Sequence, residues 1–224
     1  MNKKKIFIAV DTNKISKAKK IIIDTKTNKI KIGYKFGLEF FYSKEGRKFI
    51  SSLKNQTIFL DLKLNDIPNT VRSAMKSLKD LKISYLTVHL SSGLSALKAI
   101  KKESKNIKIA GVTTLTSLNN RDLKKIGFNK EVNELVKHQA KLAKKAKLDA
   151  IICSGHEIKS VKRVFNKEII TPGIKIESTK NDQKRIMKPE DAFAAGSDWL
   201  VIGRSITKGN IKKNIQNLVE ILED

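Results

Sequence analysis

Eight short runs rich in Ile, Val, Leu and Phe recur along the chain, at 6–11, 30–33, 57–61, 85–90, 107–113, 149–153, 168–171 and 199–203. Continuous apolar runs of this length, without alternation, suit strands buried on both faces, as in a parallel sheet covered by helices. The intervening stretches carry helical spacing. After Pro68, residues Val71, Ala74, Met75, Leu78 and Leu81 fall on one stripe, and 131–148 places Val132, Leu135, Ala140, Leu142, Ala143 and Ala146 among lysines. The segment from Pro189 to Gly196 has proline where a helix starts and glycine where it ends. The last stretch, 211–222, sets Ile211, Ile215, Leu218 and Leu222 on one face.

This alternation predicts an α/β fold, a (β/α)8 TIM barrel formed as one domain over residues 1–224. An open doubly wound sheet shares the alternation and remains the structural competitor. With 224 residues the chain can bury a sizeable core without disulfides or metals. Its single cysteine, Cys153, cannot form an internal disulfide, which points to a cytoplasmic setting. The N-terminal apolar run ends at Asp11, too early for a signal peptide, and no stretch reaches membrane-spanning length.

The formal charge of +25 raises nucleic acid as a partner. Two features count against it. The basic residues are 41 Lys and only 6 Arg, and the lysines are dispersed along the chain rather than gathered in one arm. The expectation is therefore no nucleic-acid partner and no membrane, with a positive field that favours a small anionic substrate.

In a barrel, catalytic side chains stand at the C-terminal ends of strands. Polar residues do sit at or just past several run ends: Asp11, Asp61 and Lys63, Thr113 to Thr116, Ser154, Thr171, and Gly203-Arg204, while Lys31 lies within the second run. Asp61, Lys63 and Asp66 form the densest group. Residues two apart on a strand share a face, so Asp61 and Lys63 can both point into the mouth. Opposite charges about 4 Å apart attract by about 1 kcal/mol in water and several times more in a shielded site. A lysine flanked by carboxylates stays protonated and can deliver a proton. The same triplet is also compatible with a surface salt-bridge patch. Gly203-Arg204-Ser205 after the last run suits phosphate, since glycine lets an anion approach the backbone and arginine grips it with two nitrogens. An ordinary turn with a solvated arginine would read the same way. His89, His138 and His156 show no zinc-binding spacing, so no metal site is expected, and no glycine-rich nucleotide loop occurs. Cys153 reads as a buried small apolar residue.

The run Ile58-Phe59-Leu60-Asp61-Leu62-Lys63-Leu64-Asn65-Asp66-Ile67-Pro68-Asn69-Thr70 resembles the signature of the orotidine 5'-phosphate decarboxylase family. The resemblance extends over nearly the whole chain. It takes in Ala9-Val10-Asp11, Lys31-Ile32-Gly33, Leu115-Thr116-Ser117, Thr171-Pro172-Gly173-Ile174, Asn181-Asp182-Gln183 and Val201-Ile202-Gly203-Arg204. It implies a cofactor-free, homodimeric carboxy-lyase that converts orotidine 5'-phosphate to UMP in de novo pyrimidine synthesis. It assigns proton donation at C6 to Lys63 and ground-state repulsion to Asp61. It places Lys31 and Asp11 at the ribose hydroxyls, and Thr116 near the pyrimidine. Asp66 and Thr70 would reach into the partner's site. Gln183, Arg204 and the Gly203 backbone would hold phosphate under a closing lid at 174–184. Where the family usually carries arginine after Thr-Pro-Gly-Ile, this chain has Lys175, and the segment onward to Gln183 is slightly shorter than in relatives. The alternative within the superfamily is a sugar-phosphate decarboxylase or aldolase, which shares the D-x-K-x-x-D strand but has an acidic residue in place of Lys31. A non-catalytic nucleic-acid binder is the reading from a different class.

Overall fold

The computed structural model describes residues 3–176 and 187–223. Eight strands run parallel: β1 (Lys5–Ala9), β2 (Lys31–Gly37), β3 (Thr57–Leu64), β4 (Tyr85–His89), β5 (Lys108–Val112), β6 (Ala150–Ile152), β7 (Glu168–Thr171) and β8 (Trp199–Ile202). They pair in sequence order and close into a barrel, β1 meeting β8 with Ile6 opposite Leu200. The open-sheet alternative is thereby excluded.

Because side chains alternate along each strand, the barrel has two cores. Outward-facing Ile6, Ile8, Phe36, Ile58, Leu60 and Leu86 pack under the helices. Those helices supply their predicted apolar stripes: Val71 and Met75 from Pro68–Ser77, Val136, Ala140 and Ala143 from Val132–Lys145, and Ile215 and Leu218 from Ile211–Glu223. Pro68 and Pro189 each open a helix, where a missing N–H costs nothing. No helix among the described residues is long and apolar enough to cross a membrane.

The inner core is layered. Phe7, Phe59, Tyr85 and Trp199 fill the lower barrel, with Ala9, Ala110, Ala150, Ile170 and Val201 around them. Phe7 stacks on Trp199 with centroids 4.0 Å apart and 17° between planes, and meets Phe59 at 4.9 Å and Tyr85 at 5.4 Å. At the strand N-termini the Tyr85 hydroxyl donates to Glu168 at 2.8 Å, and the Lys108 ammonium pairs with the same carboxylate at 2.9 Å.

Two strands outrun their sequence expectation. The second run, expected to stop at Gly33, continues to Gly37, and the third extends from Asp61 to Leu64. Gly33 is not a terminator. A Cβ there would stand 2.6 Å from Cε1 of Phe7 and 2.9 Å from the Thr57 carbonyl oxygen, so glycine is what admits the Phe7 ring.

Phe7 is fully buried at the centre of this layer. Phe7→Ala should therefore destabilise the protein by about 3–5 kcal/mol in urea unfolding. A loss below about 1 kcal/mol would contradict a barrel that depends on this ring.

Candidate functional site

Above the aromatic layer the interior residues become small, and a cavity of about 310 Å³ opens at the C-terminal ends of the strands. Its floor is Ala9, Phe59, Val112, Ile152 and Val201, and its walls carry Asp11, Lys35, Asp61, Lys63, Thr116, Lys175, Gly203 and Arg204.

Asp61 is the electrostatic centre. Its Oδ2 lies 2.8 Å from the Lys63 ammonium and 3.4 Å from that of Lys35, and Lys35 also reaches Oδ1 of Asp11 at 3.5 Å. The Thr87 hydroxyl donates to Oδ1 of Asp61 at 3.2 Å. Burial pushes the Asp61 carboxyl up. Lys35 and Lys63, with the hydrogen bonds from Lys63 and Thr87, outweigh it and leave the group below its ordinary value of 3.8. His89, half-buried at the end of β4, is pushed down by burial and by Lys63, against an opposing pull from Asp61. Burial and Lys63 both favour the uncharged imidazole, which stands as a supporting neighbour of the charge cluster.

The backbone reaches this arrangement by an irregularity. Leu60 pairs with Leu86 and Leu64 with Val88, so Asp61, Leu62 and Lys63 together face the single residue Thr87. Lys63 takes a left-handed conformation with φ of 49°, uncommon for a residue with a side chain. Regular alternation anticipated that Asp61 and Lys63 converge, and they do, but through a bulge that the pattern does not reveal.

Lys31 does not belong to the site. It is the first residue of β2, and its ammonium stands 5.8 Å from the Trp199 ring centroid at the opposite end of the barrel. Lys35, four residues later, occupies the place expected of it. On one strand face that separation is about 13 Å, the whole depth from floor to mouth. The sequence signal was there: Lys31, Gly33 and Lys35 share a face, but ending the strand at Gly33 hid the last of them.

Gly203 follows β8 beside Asp11 and Ala9, and Arg204 opens a short helix, Arg204–Thr207. Lys175 is buried and lines the same cavity. The chain on either side of 177–186 is clamped: Ile174 and Met187 form a parallel bridge, with Lys175 N–H donating to the Met187 carbonyl at 3.2 Å and Met187 N–H to Gly173 at 3.3 Å. Gln183 and most of the 174–184 segment lie outside the described residues. Thr116 is on a cavity-lining loop whose Thr114 N–H donates to the buried Gln139 side chain at 2.9 Å. Asp66 and Thr70 are exposed and do not line the cavity, and the Asp66 carboxylate accepts the Ile67 N–H at 2.7 Å. Cys153 borders the cavity but is buried, and burial with Glu157 raises its thiol far from thiolate reactivity. Among the described residues no three His, Cys, Asp or Glu side chains gather as a metal cage.

The Asp61 geometry makes a pH prediction. A carboxyl whose folded pKa is depressed contributes stability that is present above the unfolded value, and it is lost as pH falls through the folded one. In the folded protein the ¹³C carboxyl resonance of Asp61 should titrate below 3.8. Lys35→Ala should move the midpoint up, and Lys31→Ala should leave it in place. A shift with Lys31→Ala equal to that with Lys35→Ala would contradict the placement of both lysines.

Comparison with known proteins agrees with this architecture. Residues 4–215 match the family model described as Orotidine 5'-phosphate decarboxylase / HUMPS family. The chain is 41% identical over 222 residues to "Orotidine 5'-phosphate decarboxylase" of Wolbachia sp. subsp. Brugia malayi (strain TRS), covering 96% of each chain. It is 37% identical over 233 residues to the protein of that name from Carboxydothermus hydrogenoformans, covering 98% of this chain and 96% of the relative. Among solved structures, orotidine 5'-phosphate decarboxylase from Lactobacillus acidophilus superposes with a TM-score of 0.83 at 29% identity, covering 97% of this chain and 98% of that one. With the match spanning nearly its whole length, the chain belongs to the orotidine 5'-phosphate decarboxylase / HUMPS family.

Proposed function

We propose that this protein decarboxylates orotidine 5'-phosphate to UMP, with the charge cluster at Asp61 as its catalytic centre. The observation that carries this reading is a carboxylate shared by two ammonium groups, Lys63 at 2.8 Å and Lys35 at 3.4 Å, in the mouth of a barrel whose far wall holds Gly203 and Arg204. The near identity of name among relatives at 37–41% identity supports the substrate.

The chemistry follows from the placement. The bond from C6 of the pyrimidine to its carboxylate breaks, carbon dioxide leaves, and the electron pair stays on C6. The Lys63 ammonium lies where it stabilises that developing charge and gives C6 its proton; solvent then reprotonates the lysine. The Asp61 carboxylate, fixed beside the substrate carboxylate, disfavours the bound reactant more than the transition state. Lys35 takes the part expected of Lys31, bridging Asp11 and Asp61 and facing the ribose. Arg204, the Gly203 backbone and Lys175 hold the phosphate, Thr116 borders the pyrimidine, and Gln183 is proposed to join the phosphate group from the 174–184 segment. The positive charge of the chain draws in a substrate with several negative charges.

The site is proposed to be shared in a homodimer. Asp66 and Thr70 are turned away from their own cavity, and exposed Leu38, Tyr42 and Ile67 follow the neighbouring strands β2 and β3 on the same side of the mouth. Exposed large apolar groups beside polar residues that do not line their own cavity support a second copy packed there.

Purified protein, dialysed against chelator, should deplete the absorbance of orotidine 5'-phosphate, and Lys63→Ala should lower kcat by at least about 10³-fold with the fold intact. Absence of turnover by the folded wild type would reject the substrate. Mixed Lys63→Ala and Asp66→Asn chains test sharing. Each variant alone should be nearly inactive, while random reassortment restores one intact site per heterodimer, about a quarter of wild-type activity. No recovery in proven heterodimers would place Asp66 outside the partner's site.

A further inference from the structure

Thr87 is fully buried, is not part of the cavity wall, and yet is hydrogen-bonded to both members of the central ion pair. Its position comes from the irregular pairing of β3 with β4. Three residues of β3 face it alone, and the bulge takes the Lys63 N–H out of the regular ladder. The Thr87 hydroxyl oxygen accepts that N–H at 2.6 Å. A hydroxyl has one proton to give, and with its oxygen already accepting, that proton goes to Oδ1 of Asp61 at 3.2 Å.

A closed circuit results. The Lys63 backbone donates to Thr87, Thr87 to one oxygen of Asp61, and the Lys63 ammonium to the other oxygen at 2.8 Å. One residue's main chain and side-chain terminus are thus tied to the same carboxylate from opposite sides. With Oδ1 engaged by Thr87, Oδ2 is the oxygen left to Lys63 and Lys35. Threonine suits this role, since its branched Cβ restricts χ1 and holds the hydroxyl in one direction. An apolar residue of similar size would fill the space without completing the circuit.

We propose that Thr87 is a positioning residue of the site: its hydroxyl closes the β3 bulge and fixes the orientation in which Asp61 presents one oxygen to both lysines. It does not touch substrate. It rests on the charge cluster described above being the reaction centre, and adds a group outside the cavity on which that cluster depends.

The test separates the two ideas. Thr87→Val keeps the shape of the side chain and removes the hydroxyl; Thr87→Ser keeps the hydroxyl and removes the methyl. For orotidine 5'-phosphate turnover, Thr87→Val should lose about tenfold or more in kcat with KM changed by less than about threefold, and Thr87→Ser should restore most of the loss. A second readout does not need turnover: the ¹³C carboxyl titration of Asp61. The charged and titratable groups around that carboxyl are Lys35 from β2, Lys63 from β3, His89 from β4 and, through Lys35, Asp11 beyond β1. None is altered by either variant, so loss of the Thr87 hydrogen bond should move the Asp61 midpoint up in Thr87→Val and not in Thr87→Ser. Should Thr87→Val fail to fold, Thr87→Ala, which also removes the hydroxyl, takes its role in both measurements. An Asp61 titration in the folded hydroxyl-deleted variant equal to wild type overturns the proposal, as does a Thr87→Ser variant as impaired as Thr87→Val. Failure of wild-type turnover would remove the substrate assignment and leave the titration to decide on Thr87.

Discussion

An eight-stranded barrel encloses a space that side chains must fill, and here Phe7 stacked on Trp199 stands at the centre of that filling. The rest of the interior is arranged around this pair. Gly33 gives up its side chain so that the Phe7 ring fits, and Phe59 and Tyr85 complete the layer. Bulk is thereby concentrated in the lower barrel, and the alanines and valines above it leave the upper part open. The cavity is the complement of the aromatic layer: Phe59 belongs to both, packing among the rings below and flooring the space in which Asp61 and its lysines stand.

The charge cluster is stable because the attraction is shared. Removing Asp61 from water is unfavourable, and a single lysine at the mouth would compensate only in part. Two ammonium groups and a threonine hydroxyl reverse the balance, so the carboxyl is held below its ordinary value despite its burial. Lys35 is itself compensated by Asp11, which is mostly exposed. The cluster thus grades from a buried centre to a hydrated edge, and no member is left as an isolated buried charge.

Much of this was legible in the sequence. The eight apolar runs, the proline-led helices and the D-x-K pattern at the end of the third run all found their places, because periodicity and strand-end polarity are local signals. What escaped was set by contacts distant in sequence. Gly33 read as a strand end, since nothing near it announces that Phe7, twenty-six residues earlier, needs its space. A strand ended at Gly33 puts Lys31 where Lys35 belongs. The bulge in β3 and the role of Thr87 depend on how β3 registers with β4, which no pattern within either strand encodes. Gln139, which anchors the Thr116 loop from a helix, escaped for the same reason.

The left-handed backbone at Lys63 carries a consequence for how the chain can change. That conformation is unfavourable by about 1–2 kcal/mol for any residue with a Cβ, and glycine alone adopts it freely. The side chain proposed to give the proton is therefore the one the backbone would discard. Selection for thermal endurance without selection for turnover would tend to replace Lys63 with glycine and yield a sturdier, silent barrel. On the proposed role of Lys63, stability and activity are opposed at this position.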